Sequence, residues 1–183
     1  NDQANPQSVY GETKLKGEVA IQGSGCRHII IRSAWVFSEY GNNFLKTILR
    51  LAVAGDSLRV VDDQIGCPCY AQDIAKAIVH ILGRLKSEES FCGLYHFAGN
   101  ISCSWAEFSQ YIVDEAVNMK LLSARPKVVA INTDQYPTSA KRPKQSCLNS
   151  KKIGVIFGVE PSDSMLGIRL SLNAIKQKNR KTG

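Results

Sequence analysis

The stretch Val9-Tyr-Gly-Glu-Thr-Lys14-Leu-Lys-Gly-Glu18-Val-Ala-Ile-Gln22, followed by Gly23-Ser-Gly25 and His28-Ile-Ile-Ile-Arg-Ser-Ala34, decides the fold. The first part reads as a helix entered after Pro6, with Tyr10, Lys14 and Glu18 at steps of four. The two glycines around Ser24 stop it. The second part is a short, mostly apolar run, the pattern of a strand buried on both faces in a parallel sheet.

Outward from there, strands and helices alternate. Trp35-Val-Phe37 leads into a loop ending at Gly41, and Asn42 or Asn43 caps a helix carrying Phe44, Ile48, Leu49 and Leu51 up to Gly55. Leu58–Val61 is a strand, and the loop Asp62-Asp-Gln64-Ile-Gly-Cys-Pro68 sets polar groups after its carboxyl end. Ala71–Leu82 is amphipathic, with Ile74, Ala75, Ile78, Val79 and Leu82 on one face. Leu94–Ala98 is a third strand. Ser104-Trp-Ala-Glu107 forms a capping box before a helix burying Phe108, Ile112 and Val113. Lys127–Ile131 is extended, Ser150–Val155 a short helix, and Ser162 caps a last helix running to about Gln177. About four strands and six helices in alternation predict an α/β layer structure.

Composition narrows the class. The 183 residues are 44% hydrophobic and 21% charged, as in a globular protein. No apolar run reaches the ~18 residues that suggest a spanning helix, and no apolar leader follows the polar opening, so a cytoplasmic protein away from membranes is expected. The net charge of +7 is uneven. Residues 1–120 carry 11 basic and 13 acidic groups, whereas residues 121–183 carry 12 and 3. The basic second part suits an anionic ligand. No nucleic-acid module or interleaving of aromatic and basic residues accompanies it, so nucleic acid is not the expected partner. The six cysteines form no CxxC pair and the three histidines are scattered, so no metal site is expected. The cysteines read as reduced and mostly buried, and His80 and His96 as structural.

Tyr10 and Lys14, one helical turn apart, have a definite chemistry. A nearby cation favours the phenolate, and such a tyrosine can give a proton to a forming alkoxide. The lysine can also hold a cofactor ribose. Asn5-Pro-Gln-Ser-Val-Tyr10-Gly-Glu-Thr-Lys14, together with Ile29-Ile-Ile-Arg32-Ser-Ala-Trp35-Val-Phe37, resembles the extended short-chain dehydrogenase/reductase superfamily. Gly41-Asn-Asn-Phe44, Asp62-Asp-Gln64-Ile-Gly-Cys-Pro68, Gly93-Leu-Tyr-His96, Tyr136-Pro-Thr138, Ala140-Lys-Arg142-Pro143 and Leu148-Asn149 extend the likeness to the dTDP-4-dehydrorhamnose reductases.

That resemblance implies a partial Rossmann-like, doubly wound sheet with a small α/β substrate-binding region. The whole of residues 1–183 is expected to be the C-terminal portion of an NAD(P)-binding reductase domain, its substrate-side elements mainly in 42–70 and 100–160. It implies Tyr10 and Lys14 as catalytic and cofactor-binding, Ser33 and Ala34 as bordering the nicotinamide, and Trp35, Asn43, Gln64 and Arg142 as contacts to a nucleotide-sugar. NADPH, or NADH, is the implied cofactor, and a homodimer is open as an assembly. The implied reaction is the reduction of dTDP-4-dehydrorhamnose to dTDP-L-rhamnose.

Departures matter as much. Neither GxGxxG nor GxxGxxG occurs, nor does the family's Ser or Thr ahead of the tyrosine. Cys69 stands where threonine is common. Without the glycine-rich half the isolated chain is expected to be inactive, with the apolar faces made for that half exposed. A non-catalytic regulatory or interaction subunit of the same superfamily is the alternative.

Overall fold

A computed structural model describes residues 3–85, 91–136, 138 and 142–182. Among them are six α-helices and eight strands: α1 (Val9–Gly23), β1 (Ile29–Arg32), β2 (Val36–Phe37), α2 (Phe44–Ala54), β3 (Ser57–Val61), β4 (Ile65–Gly66), β5 (Cys69–Tyr70), α3 (Ala71–Arg84), β6 (Gly93–His96), β7 (Cys103–Ser104), α4 (Trp105–Asn118), β8 (Lys127–Ile131), α5 (Lys151–Phe157) and α6 (Ser164–Thr182). A 3-10 turn covers Thr133–Gln135.

The strands pair two by two. β1–β6, β2–β5 and β3–β8 are parallel, and β4–β7 is antiparallel. Each parallel pair is joined through intervening helices, as a parallel connection requires. β3 alternates with Leu58 and Val60 inward and Arg59 outward. Two cores follow. One packs α2, α4 and α6 on the β3–β8 side, around Leu45, Ile48, Phe108, Ile112, Ile168 and Leu172. The other packs α3 and α5 against β6, around Ala77, Ile81, Tyr95, Phe97, Ile153 and Phe157. His80 donates from Nε2 to the Phe157 carbonyl at 2.8 Å and ties α3 to α5, a structural role. Burial and the neighbouring Arg32 lower the pKa of His96.

Capping explains several boundaries. Asn43 Oδ1 accepts the Lys46 amide and opens α2. The Ser104–Glu107 capping box is present at α4. At α6 the expectation is corrected. Asp163 Oδ1 accepts the Leu166 amide at 3.0 Å, whereas the Ser162 hydroxyl donates to Asp73 and accepts the Tyr70 amide. Ser162 thus joins α6 to the start of α3 rather than capping.

Two helices are left largely uncovered among the described residues. On α3 only Ala77 and Ile81 are buried, and Val79 and Leu82 are 70% and 61% exposed. Ile78 and Leu82 flank a groove of about 710 Å³ beside β1, floored by Ile29, Ile31 and Phe91. α1 buries nothing. It is held to the body by Glu18, which accepts two hydrogen bonds from Arg32, Nε at 2.9 Å and Nη2 at 2.6 Å. That bidentate contact raises the Arg32 pKa further. The cysteine reading is corrected too: Cys67, Cys69 and Cys103 are buried, but Cys26, Cys92 and Cys147 are exposed. Among the described residues no helix is long and apolar enough to cross a membrane, and no group of His, Cys, Asp and Glu could hold a metal ion.

Candidate active site

α1 is entered through Ser8, whose hydroxyl accepts the Gly11 amide at 3.2 Å. This cap sets Tyr10 and Lys14 on the first two turns, and the Lys14 ammonium lies 5.5 Å from the centre of the Tyr10 ring. Both line a cavity of about 590 Å³, together with Ser33 and Ala34 from the end of β1 and Pro143, Gln145, Ser146 and Leu148 from the opposite wall. Tyr10 is 71% exposed, so its hydroxyl is open to a ligand. Ser33 Oγ is buried with no hydrogen-bond partner of ordinary geometry, although it sits near enough to the Cys69 thiol to offset part of what burial does there. Burial pushes that thiol up to about 11.

A second cavity of about 620 Å³ opens between α2, β3 and the start of α4. Gln64, Trp105, Thr133 and Arg142 line it, over an apolar floor from Phe44 and Ile48. Arg142 is exposed and makes no ion pair among the described residues. The two cavities meet along the chain: Ala34 lines the first and its neighbour Trp35 stacks on Trp105 of the second, while Pro143 and Arg142 line one each.

A buried polar network fixes this second wall. The Gln64 amide nitrogen donates to Thr133 Oγ1 at 3.0 Å, and its oxygen accepts the Trp105 indole N–H at 3.2 Å. Asp63 Oδ1 accepts the Thr133 hydroxyl at 2.6 Å and the Thr133 amide at 2.9 Å. The Thr133 hydroxyl above all, then its amide and the Lys144 ammonium, hold the Asp63 carboxyl below its usual range. The Ser104 hydroxyl donates to Asp62. The amide of Gln64 is therefore committed at both ends, and it orients Trp105.

Trp35 departs from expectation. It lines neither cavity. Its ring lies flat on Trp105, centroids 3.4 Å apart and planes 8° from parallel. A β-carbon on Gly66 would stand 2.2 Å from Trp35 Cε2, so the ring is clamped between Trp105 and the Gly66 backbone. Its backbone sits at φ +52°, a left-handed conformation that is unfavourable for a tryptophan. Trp105 is the indole that faces the cavity, with Trp35 behind it. Asn43 is not brought to either cavity: its amide donates to the Ser38 and Tyr40 carbonyls at 2.7 and 3.0 Å, and its oxygen caps α2. Sequence reasoning missed Trp105, Thr133 and Asp63. Trp105 was hidden inside a capping box that reads as the start of a core helix. The Asp62-Asp63-Gln64 run after a strand was the available signal. Lys141 lies outside the described residues.

The clamp gives a prediction. Gly66→Ala forces a methyl into the space of the Trp35 ring, and overpacking of this kind costs about 1–3 kcal/mol. These are the chain's only two tryptophans, so circular dichroism of the stacked indoles reports the change directly. We expect the coupled indole signal to be lost and the melting temperature to fall. An unchanged spectrum and melting temperature would refute the clamp.

Residues 1–176 match the family described as RmlD substrate binding domain. A dTDP-4-dehydrorhamnose reductase of Aggregatibacter actinomycetemcomitans is 47% identical over 163 residues, covering 88% of this chain and 55% of that protein. The Escherichia coli K12 enzyme of the same name is 36% identical over 174 residues, covering 95% and 58%. The chain thus spans about half the length of the curated relatives it matches. Among solved structures, a reductase of this name from Clostridium acetobutylicum superposes with a TM-score of 0.85 at 30% identity, covering 96% of this chain and 58% of that one. One from Bacillus anthracis, solved with NADP, gives 0.81 at 28%, covering 94% and 57%. The parallel pairs found here therefore belong to a doubly wound, Rossmann-like α/β fold with its small associated α/β region. With nearly every residue matched, and the same fold in reductases of that name, the chain belongs to the RmlD substrate binding domain family.

Proposed function

We propose that this chain is the substrate-side, C-terminal portion of an NADPH-dependent reductase that converts dTDP-4-dehydrorhamnose to dTDP-L-rhamnose in the cytoplasm, where nucleotide sugars and reduced nicotinamide meet. The observation that carries the reading is the shared cavity of Tyr10, Lys14, Ser33 and Ala34, placed next to the one lined by Gln64, Trp105 and Arg142. The relatives' names and the NADP in the Bacillus anthracis structure support it.

The residues present fit one end of the cofactor. The exposed phenol and the ammonium beside it are suited to a nicotinamide ribose. No glycine-rich turn occurs in the sequence to hold a pyrophosphate. A reduced nicotinamide dinucleotide, when bound, supplies the hydride. Tyr10 gives its phenolic proton to the sugar's C4 oxygen, and Lys14 steadies the phenolate left behind. Arg142 offers a rigid fork for the diphosphate. Gln64, through Thr133 and Trp105, fixes the wall against which the nucleotide-sugar rests. NADH is an alternative donor, since nothing in these cavities selects the adenosine phosphate.

The test has two parts. The isolated chain should oxidise NADPH with dTDP-4-dehydrorhamnose no faster than its Tyr10→Phe variant, because half a cradle does not hold donor and acceptor together. Joined to the glycine-rich half of a relative, it should turn over. A joined protein that binds both ligands by calorimetry yet does not turn over would favour the regulatory reading.

A further inference from the structure

Three of the six cysteines converge on one spot outside the proposed chemistry. β4 is flanked on both sides. On one side Gly66 lies opposite Cys103 of β7. On the other, Ile65 pairs in parallel with Gln145: the Ile65 amide donates to the Lys144 carbonyl at 2.8 Å, and the Ser146 amide donates to the Ile65 carbonyl at 2.9 Å. Two residues further along both strands stand Cys67 and Cys147. The two thiols are near enough that Cys147, after burial, contributes to raising the Cys67 thiol. Cys67 is buried, whereas Cys147 is exposed, its sulfur 3.2 Å from Ser102 Oγ.

Neighbouring positions on a parallel pair lie within the Cα span a disulfide needs. We propose that Cys67 and Cys147 are a dithiol modification site, closed to an intrachain disulfide by a small disulfide such as oxidised glutathione. In the first step the Cys147 thiolate attacks one glutathione sulfur. A Cys147–glutathione bond forms, the glutathione S–S bond breaks, and one glutathione thiolate leaves. In the second step Cys67 loses its proton to solvent and attacks the Cys147 sulfur, expelling the second glutathione. Two protein thiols are oxidised and one glutathione disulfide is reduced to two thiols. Burial, then the Cys147 neighbour, pushes the Cys67 thiol up to about 12, so the second step is the slower and quickens as pH rises.

The segment that would be pinned is the wall between the two cavities. Arg142 faces one, and Pro143, Gln145, Ser146 and Leu148 face the other. The disulfide closes a long loop and so restricts the unfolded chain, giving a stability readout independent of any enzymatic activity.

The experiment treats the full chain with oxidised glutathione at pH 7 and pH 9, then reads intact mass and alkylated peptides under denaturing, non-reducing conditions. We expect a loss of about 2 Da, matching two hydrogens, faster at pH 9. The cross-link should join the peptides holding Cys67 and Cys147, and the melting temperature should rise by several degrees and fall back on reduction. Cys69→Ser and Cys103→Ser should keep the cross-link, while Cys67→Ser and Cys147→Ser should each abolish it. A glutathione adduct at Cys147 that persists at pH 9, or a cross-link that survives in Cys67→Ser, would overturn the proposal.

Discussion

Phenylalanine at position 10 will lower the turnover of the joined enzyme by about 10²–10⁴-fold and leave KM nearly unchanged. The reasoning starts from exposure. Tyr10 contributes nothing to either core, and α1 buries no residue at all. Removing one hydroxyl there takes away no packing and no hydrogen bond that holds the fold. Whatever is lost is therefore lost from the proton transfer. The Lys14 ammonium stays beside the ring in the variant, so ribose binding through Lys14 persists and cofactor affinity changes little. Steady-state NADPH oxidation checks the turnover, and fluorescence titration with NADPH checks the binding. Equal losses in both would place Tyr10 in binding alone and remove it from the chemistry. The pair also depends on an anchor that looks slight. Two hydrogen bonds from Arg32 to Glu18 hold the far end of α1, and the helix is otherwise joined to the body along one side of a cavity.

That slightness shows what the amino-acid pattern could and could not convey. Six helices are legible in the sequence, and two caps, Asn43 and the Ser104–Glu107 box, also name a first residue there, whereas the caps Ser8 of α1 and Asp163 of α6 show only in the folded chain. Four of the strands are only two residues long, and a period of two cannot show itself over two residues. The stripe Ile78, Val79 and Leu82 is plainly apolar in the sequence, yet it stands in solvent here. A hydrophobic stripe records that a helix is built to be covered, without recording which stretch of chain covers it. The same limit applies to the site. Tyr10 and Lys14 were legible because one helical turn fixes their spacing. Asn43 and Gln64 are legible as polar residues in loops, but whether an amide faces a cavity or its own backbone depends on loop geometry that no local pattern encodes. Trp35 and Trp105 are separated by 70 positions, and only the folded chain shows that one screens the other.

Phe108→Ala will have the largest effect on stability, about 3–5 kcal/mol, the range for emptying the site of a buried phenylalanine. Phe108 is fully buried at the centre of an aromatic cluster. Phe37 meets it edge-on at 5.4 Å, Phe44 lies nearly parallel at 5.5 Å, and Trp35 and Trp105 are each 6.4 Å away. Such pairs add about 0.5–1.5 kcal/mol each beyond area burial, although one substitution removes them together and their sum is not the cost. Against a typical stability of about 5–15 kcal/mol, the loss is about a fifth of the total at the least. It also reaches the proposed site, because Phe44 and Trp105 line the second cavity and rest on this ring. Urea unfolding followed by far-UV circular dichroism should show a lower midpoint with an unchanged slope. The same variant should bind dTDP more weakly at a urea concentration of zero, where it is still folded. Val155→Ala is the matched control: that side chain is 86% exposed on α5, and its loss should fall within about 0.5 kcal/mol of zero. A Phe108 variant as stable as this control would mean that Trp105 and Phe44 close over the vacated space. The second cavity would then change shape, so dTDP affinity would fall in either case, and it is the stability measurement that separates a collapsed core from an open one.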